Sequence, residues 1–295
     1  MRVAAAAVVG LACAAGAADV DAALRAQLEQ TYGAWRKAVV ERDARTWEAV
    51  TASHRRMAIR NRVVSEKRAF PAAVFDLPAS PPGLGGLRAV QVRQLGPTAK
   101  AVYFGKVDFG IDGEPSDNLL VISFINEGGR WRYDTADFVN LGGLPEVRRE
   151  LAAGNDSYVE ETKAFLPDGK LPPPPLQVGP AKYIAKVYVF CPGREVQVQV
   201  NKVSRHAFLN TKQAEVVLGG ARDGANEVQY SIRKAEGGKG TEALAIRVYL
   251  MSEVPGTQPL KAFEYQVGEG RKPDDFGTGT FNVDAATAAK LSGGR

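Results

Sequence analysis

The run Leu171-Pro172-Pro173-Pro174-Pro175 separates two stretches of different periodicity. Four consecutive prolines carry no backbone N–H and hold φ near one value, so the run is predicted to be an extended, stiff spacer of polyproline II type. Upstream, apolar residues first recur at helical spacing and then alternate. Downstream they alternate almost throughout. The pattern predicts an α+β domain over 18–166, with helices packed on a curved antiparallel sheet. A linker at 167–180, an all-β antiparallel sandwich at 181–284 and a flexible tail at 285–295 follow. A chain of 295 residues is long enough for two cores.

In the first stretch Leu24, Leu28, Tyr32, Trp35 and Val39 fall on one face of a helix spanning Val20 to Val40. Asp43 is placed to cap a second short helix through Trp47 and Val50. The segment from Arg55 to Arg68 reads as a third helix, with Met57, Ile59, Val63, Val64 and Phe70 as its apolar side. Strands are predicted at Leu87–Leu95, Ala99–Phe109, Asn118–Asn126 and Arg130–Val139. Gly96-Pro97, Asp112-Gly113 and Glu127-Gly128-Gly129 provide the turns between them. A broken helix over Leu144–Phe165 closes the domain.

The opening Tyr32-Gly33-Ala34-Trp35 with Asp43 and Trp47, and the late Phe124-Ile125-Asn126-Glu127-Gly128-Gly129-Arg130-Trp131-Arg132-Tyr133-Asp134, resemble the NTF2-like superfamily over roughly residues 20–140. That resemblance implies a cone-shaped α+β fold framing an apolar pocket, used by its members for binding or, through an acid acting as general base, for catalysis. Strict alternation from Trp131 would set Trp131, Tyr133, Thr135 and Asp137 on one face. Asp137 beside Tyr133 is then the nearest approach to an acid–phenol pair that moves a proton and steadies an oxyanion. His54, flanked by Arg55 and Arg56, is the other titratable candidate. The acids Asp108, Asp112, Glu114 and Asp117 lack calcium-loop spacing and read as a solvated turn.

Beyond the prolines about seven short strands in about 105 residues match the spacing of an antiparallel sandwich. Leu218-Gly219-Gly220 through Asn226-Glu227-Val228 resembles the strand entry of Ig-like and jelly-roll accessory domains. Its glycines permit positive φ, and Asn226 is suited to bond its own backbone. Arg205 and His206 fall in a loop-like stretch able to meet a ligand. Cys191, after Val187-Tyr188-Val189-Phe190, reads as a buried small hydrophobe rather than a reactive thiol.

Met1-Arg2, the apolar run to Ala15 and Ala15-Gly16-Ala17 have the layout of a secretory signal peptide over residues 1–17. Export to the periplasm or the medium is expected, with a lipid anchor on Cys13 as the alternative, since Leu11-Ala12-Cys13 resembles a displaced lipobox. No segment is long and apolar enough for a permanent membrane span. The net charge of +5 is concentrated in Arg55, Arg56, Arg60, Arg62, Lys67 and Arg68, opposed there by Glu66 alone. Such a cluster fits an anionic surface or a solvated helix face. Nucleic acid is disfavoured because no stacking aromatics are interleaved with it. No motif implies a cofactor or a metal. The expectation is an exported, non-enzymatic binding or scaffold protein of a bacterial envelope, taking a small apolar ligand or an envelope component. The alternative is an isomerase- or hydrolase-like pocket enzyme using an acid on the late strands.

Overall fold

The computed structural model describes residues 14–107 and 116–293, with side chains from residue 22. Most of the leader with Cys13, and Asp108, Asp112 and Glu114, lie outside the described residues. The described chain is broadly α+β, with three four-stranded antiparallel sheets and six α-helices. Its contacts divide it into two compact units, residues up to 56 with 75–174, and 57–74 with 175–295. Residues 57–74, assigned by their sequence position to the first domain, thus group with the second unit.

The first unit opens with helix α1 (Ala14–Glu41) and helix α2 (Ala44–Val50), and Asp43 accepts from Thr46 N as the predicted cap. Strands β1 (Arg88–Leu95), β2 (Thr98–Lys106), β3 (Asp117–Glu127) and β4 (Arg130–Val139) form a meander in sequence order. Helix α1 lays Leu28 and Tyr32 against one sheet face, where Ala101, Tyr103, Ile122, Phe124 and Tyr133 complete the cluster. The other face is covered too. Helices α4 (Pro145–Ala152) and α5 (Ser157–Glu161), with a 3-10 turn at Lys163–Phe165, set Leu151, Val159 and Phe165 against Val102, Leu119 and Val121.

Helix α3 (Ser53–Ser65) begins in the first unit, and its remainder belongs to the second. The buried residues of that remainder are Val63 and two polar ones, Asn61 and Ser65. Burying polar groups requires partners, and both have them. Asn61 donates to Leu176 O at 2.7 Å and accepts from Val178 N at 3.1 Å, while Ser65 Oγ accepts from Gly219 N at 2.8 Å.

The second unit holds two sheets, β11-β10-β5-β8 and β12-β9-β6-β7. Their strands are β5 (Ala185–Phe190), β6 (Arg194–Val200), β7 (Ser204–Leu209), β8 (Lys212–Val216), β9 (Gly224–Lys234), β10 (Leu244–Leu250), β11 (Leu260–Val267) and β12 (Phe276–Val283). Val187 and Val189, Val196 and Val198, Val228, Ile246 and Val248 are all essentially inaccessible and belong to one cluster fed by both sheets. Cys191 is buried beside them, and burial pushes its thiol pKa up. Asn226, fully buried, bonds the backbone of Arg222 and Gly224 at the entry to β9, as its place after the glycines implied. Gly220 has φ +65°, and a Cβ there would lie 2.3 Å from Tyr183 O.

Two sequence readings are corrected. Arg205 and His206 are not in a loop: they lie in β7, an eighth strand, hidden because its inward positions begin with Ser204 and His206. The tail is not frayed either. Asp284 caps helix α6 (Ala285–Ser292) by accepting from Thr287 N, and Leu291 joins the core.

Candidate functional site

The acid–phenol pair expected from alternation does not form. Ser123 pairs with Thr135 and Phe124 with Tyr133, leaving Asp134 as an extra residue, a β-bulge. The bulge resets the faces. Tyr133 stays with Phe124 on the α1 side, while Asp137 lies opposite Val121 on the other side and is exposed. Tyr133 instead stacks on Trp35, ring centroids 3.7 Å apart, and Trp35 stacks on Tyr32. Burial raises the phenol pKa of Tyr133 and pushes that of Tyr32 up to about 12, so both remain protonated donors at neutral pH.

The bulged Asp134 meets the other candidate, His54. His54 Nε2 lies 2.9 Å from Asp134 Oδ1, each side chain 16% exposed, with angles outside good hydrogen-bond geometry. Burial pushes the Asp134 pKa up, against the opposing pull of His54 and Arg55. The chain is brought here by Thr51, which bridges to Tyr133, and by Ala52 N, which donates to Tyr133 O. Glu127 then accepts from both Ser53 N and Ser53 Oγ at 2.8 Å, an anion at the start of α3. Asp134 also borders a small recess of about 160 Å3 with Lys100, Ser123 and Asp168.

The six basic side chains do not form one uncommitted patch. Arg56 donates to Ser53 Oγ at 3.1 Å, and Arg60 donates to Val178 O at 2.9 Å. Lys67 pairs with Glu253, while Arg62 and Arg68 both lie within 3.7 Å of Glu66 carboxylate oxygens. Arg55 has a buried Nε without a partner. Of the segment's apolar side only Val63 is buried within the helix, and Asn61 and Ser65 are buried with it.

Strand β7 holds a constellation missed in the sequence. Ser204 Oγ lies 2.7 Å from His206 Nε2, and His206 Nδ1 lies 2.7 Å from Glu215 Oε2. Leu218 N donates to Ser204 Oγ, so the serine O–H is left to donate to Nε2, and Nδ1–H to the carboxylate. This is the order of a serine–histidine–acid triad. Ser204, however, is 0% exposed and His206 7%. A nucleophile must reach a substrate carbonyl, and a sealed hydroxyl cannot. The relay ties β7 to β8 and to the backbone at Leu218.

An open cleft of about 390 Å3 on the outer face of the β12-β9-β6-β7 sheet is bordered by His206 of the relay and lined by the side chains of Gln197, Gln199, Arg205, Gln229 and Ser231. These side chains point outward because Val196, Val198 and Val200 take the inward positions. Strand register places Arg205, Gln199, Gln229 and Thr278 in one cross-strand row. Ala207, Gln197, Ser231 and Phe276 form the next. Alternating polar residues on β6 and β9 were the only sequence signal for it.

Among the described residues no three His, Cys, Asp or Glu side chains gather to hold a metal ion, and no helix is long and apolar enough to cross a membrane. Comparison of the chain with protein-family models, with curated proteins and with solved structures finds no match.

Proposed function

We propose that this protein is an exported, non-enzymatic binding or scaffold protein of a bacterial cell envelope, and that its ligand surface is the outer cleft of the second unit. One observation carries the reading: the polar cleft is open and built on paired strands, while Ser204, the hydroxyl of the triad-like relay, is fully buried. A recognition site needs accessible, preorganised donors and acceptors, which the cleft has; covalent catalysis needs an accessible nucleophile, which the relay lacks. Export rests on the layout of residues 1–17. The NTF2-like reading of the first unit is supported by the apolar stripe of α1 against a four-stranded antiparallel sheet and by the aromatic residues Tyr32, Trp35 and Tyr133 on that face. The Ig-like or jelly-roll reading of the second is supported by two sheets around one core.

Two measurements on the full chain test this. Turnover of p-nitrophenyl acetate should be absent, and mass spectrometry of molecules retained through purification should find a ligand that the Gln197→Ala/Gln229→Ala variant loses. Ester turnover abolished by Ser204→Ala would overturn the non-enzymatic reading. A retained ligand indifferent to the double variant would overturn the assignment of the cleft.

A second reading, a pocket acid–base enzyme, is favoured by the desolvated Asp134 beside His54 at the recess with Lys100. It places the acid at 134 rather than 137. Isomerase activity lost in Asp134→Asn but kept in Asp137→Asn would establish it.

A further inference from the structure

The cleft's chemistry narrows the class of its occupant, an inference that rests on the binding reading above. Its centre is made of uncharged donors and acceptors. Gln197 Nε2 donates to Glu195 Oε1 at 3.2 Å and Gln229 Nε2 donates to Glu227 Oε1, so each amide nitrogen is held by an acid at the margin. No described residue donates to either amide oxygen, and both remain acceptors aimed by a fixed partner. Ser231, paired with Gln197, adds a hydroxyl. Arg205 is the cleft's cation and has no acid partner among the described residues.

At the end of the Gln197–Ser231 row stands Phe276, 78% exposed. Its outward direction is fixed by its neighbours. A Cβ on Gly277 would lie 2.3 Å from the Tyr230 hydroxyl, and one on Gly279 2.2 Å from the Phe263 ring, so the glycines face inward and Phe276 and Thr278 face out. A single exposed ring needs no explanation by itself. Here it ends a four-strand row about 14 Å long, three strand spacings, whose two middle side chains, Gln197 and Ser231, are polar.

We infer that the cleft binds a glycan chain bearing carboxylated sugars. Ring hydroxyls both give and take hydrogen bonds, which suits the free amide oxygens and Ser231. The apolar face of a sugar ring suits Phe276, and a uronate carboxylate suits the unpaired guanidinium of Arg205, the fork geometry that binds carboxylates in two places. A nucleic acid lacks the dense ring hydroxyls that suit the amide oxygens and Ser231, and its phosphates would require several cations where the cleft offers Arg205.

Isothermal titration of the full chain at physiological salt, with short oligogalacturonides in one arm and cello-oligosaccharides in the other, tests this. Binding of the uronate, weakened roughly tenfold or more by Phe276→Ala or by Gln197→Ala/Gln229→Ala, is the expected result. Neither change alters charge. Arg205→Gln should remove the preference over the neutral sugar. Binding of neither sugar would overturn the proposal, as would uronate binding that fades with salt and ignores the uncharged substitutions, because that is attraction to a basic chain. Equal binding of both sugars would overturn the role of Arg205. A retained non-glycan ligand that the double variant loses would sink this inference and leave the binding reading standing.

Discussion

Asp134 shows how one inserted residue redirects chemistry. Its folded pKa is raised, so the native state holds the proton more tightly than the unfolded chain does. Its contribution to stability is therefore present below the unfolded carboxylate value and is lost as pH rises through the folded value. Asp134→Asn should accordingly gain stability relative to wild type at neutral pH, with the gap closing in acid; urea unfolding across pH reads it. A gap that widens in acid would mean that the pairing with His54 outweighs burial. Ser204 makes a second test at this scale. Ser204→Ala strands the N–H of Leu218 and one nitrogen of His206 in a buried setting, a cost of about 1–3 kcal/mol. Denaturant unfolding of the variant checks it, and an unchanged midpoint would mean that water replaces the hydroxyl.

At the scale of elements, the helical stripe of α1, the cap at Asp43 and the four strands of the first sheet were legible, because their periodicity and turn residues agree. The bulge at Asp134 was not, since alternation carries no mark of an extra residue until the partner strand is known. Strand β7 was hidden by its inward Ser204 and His206, whose partners Glu215 and Leu218 lie on the following strand and the turn after it. Helix α6 looked like a tail because its one anchoring apolar residue is Leu291. Helix α3 was read through its charges and apolar side, whereas Asn61 and Ser65, buried with Val63, also fasten it. Asn61→Ala should leave Leu176 O and Val178 N unpaired, at about 1–3 kcal/mol, with faster amide exchange at Val178. Exchange unchanged at that amide would refute the role. The ion pairs along 55–68 also bear on the anionic-surface expectation. With Lys67 on Glu253 and both Arg62 and Arg68 on Glu66, vesicles of anionic lipid should retain little of the chain at physiological salt. Strong co-sedimentation abolished by Arg-to-Gln changes would reverse that.

For the whole molecule, the change of periodicity at the prolines was legible, and the two sheets around one core agree with the alternating strands downstream. That residues 57–74 group with the second unit was not legible, because it turns on two buried polar side chains and not on any compositional boundary. The functional surface was missed for a related reason. Gln197, Gln199 and Gln229 look like solvated strand positions until register places them side by side with Arg205 and Phe276. The binding reading requires this face to be occupied where the protein works. Hydroxyl-radical footprinting of the chain in its native host, compared with the purified chain, measures that directly. The Phe276 ring should oxidise markedly more slowly in the host, while Leu95, 55% exposed in the first unit, should oxidise equally in both. Equal oxidation of Phe276 in the two settings, or protection confined to the first unit, would contradict the account.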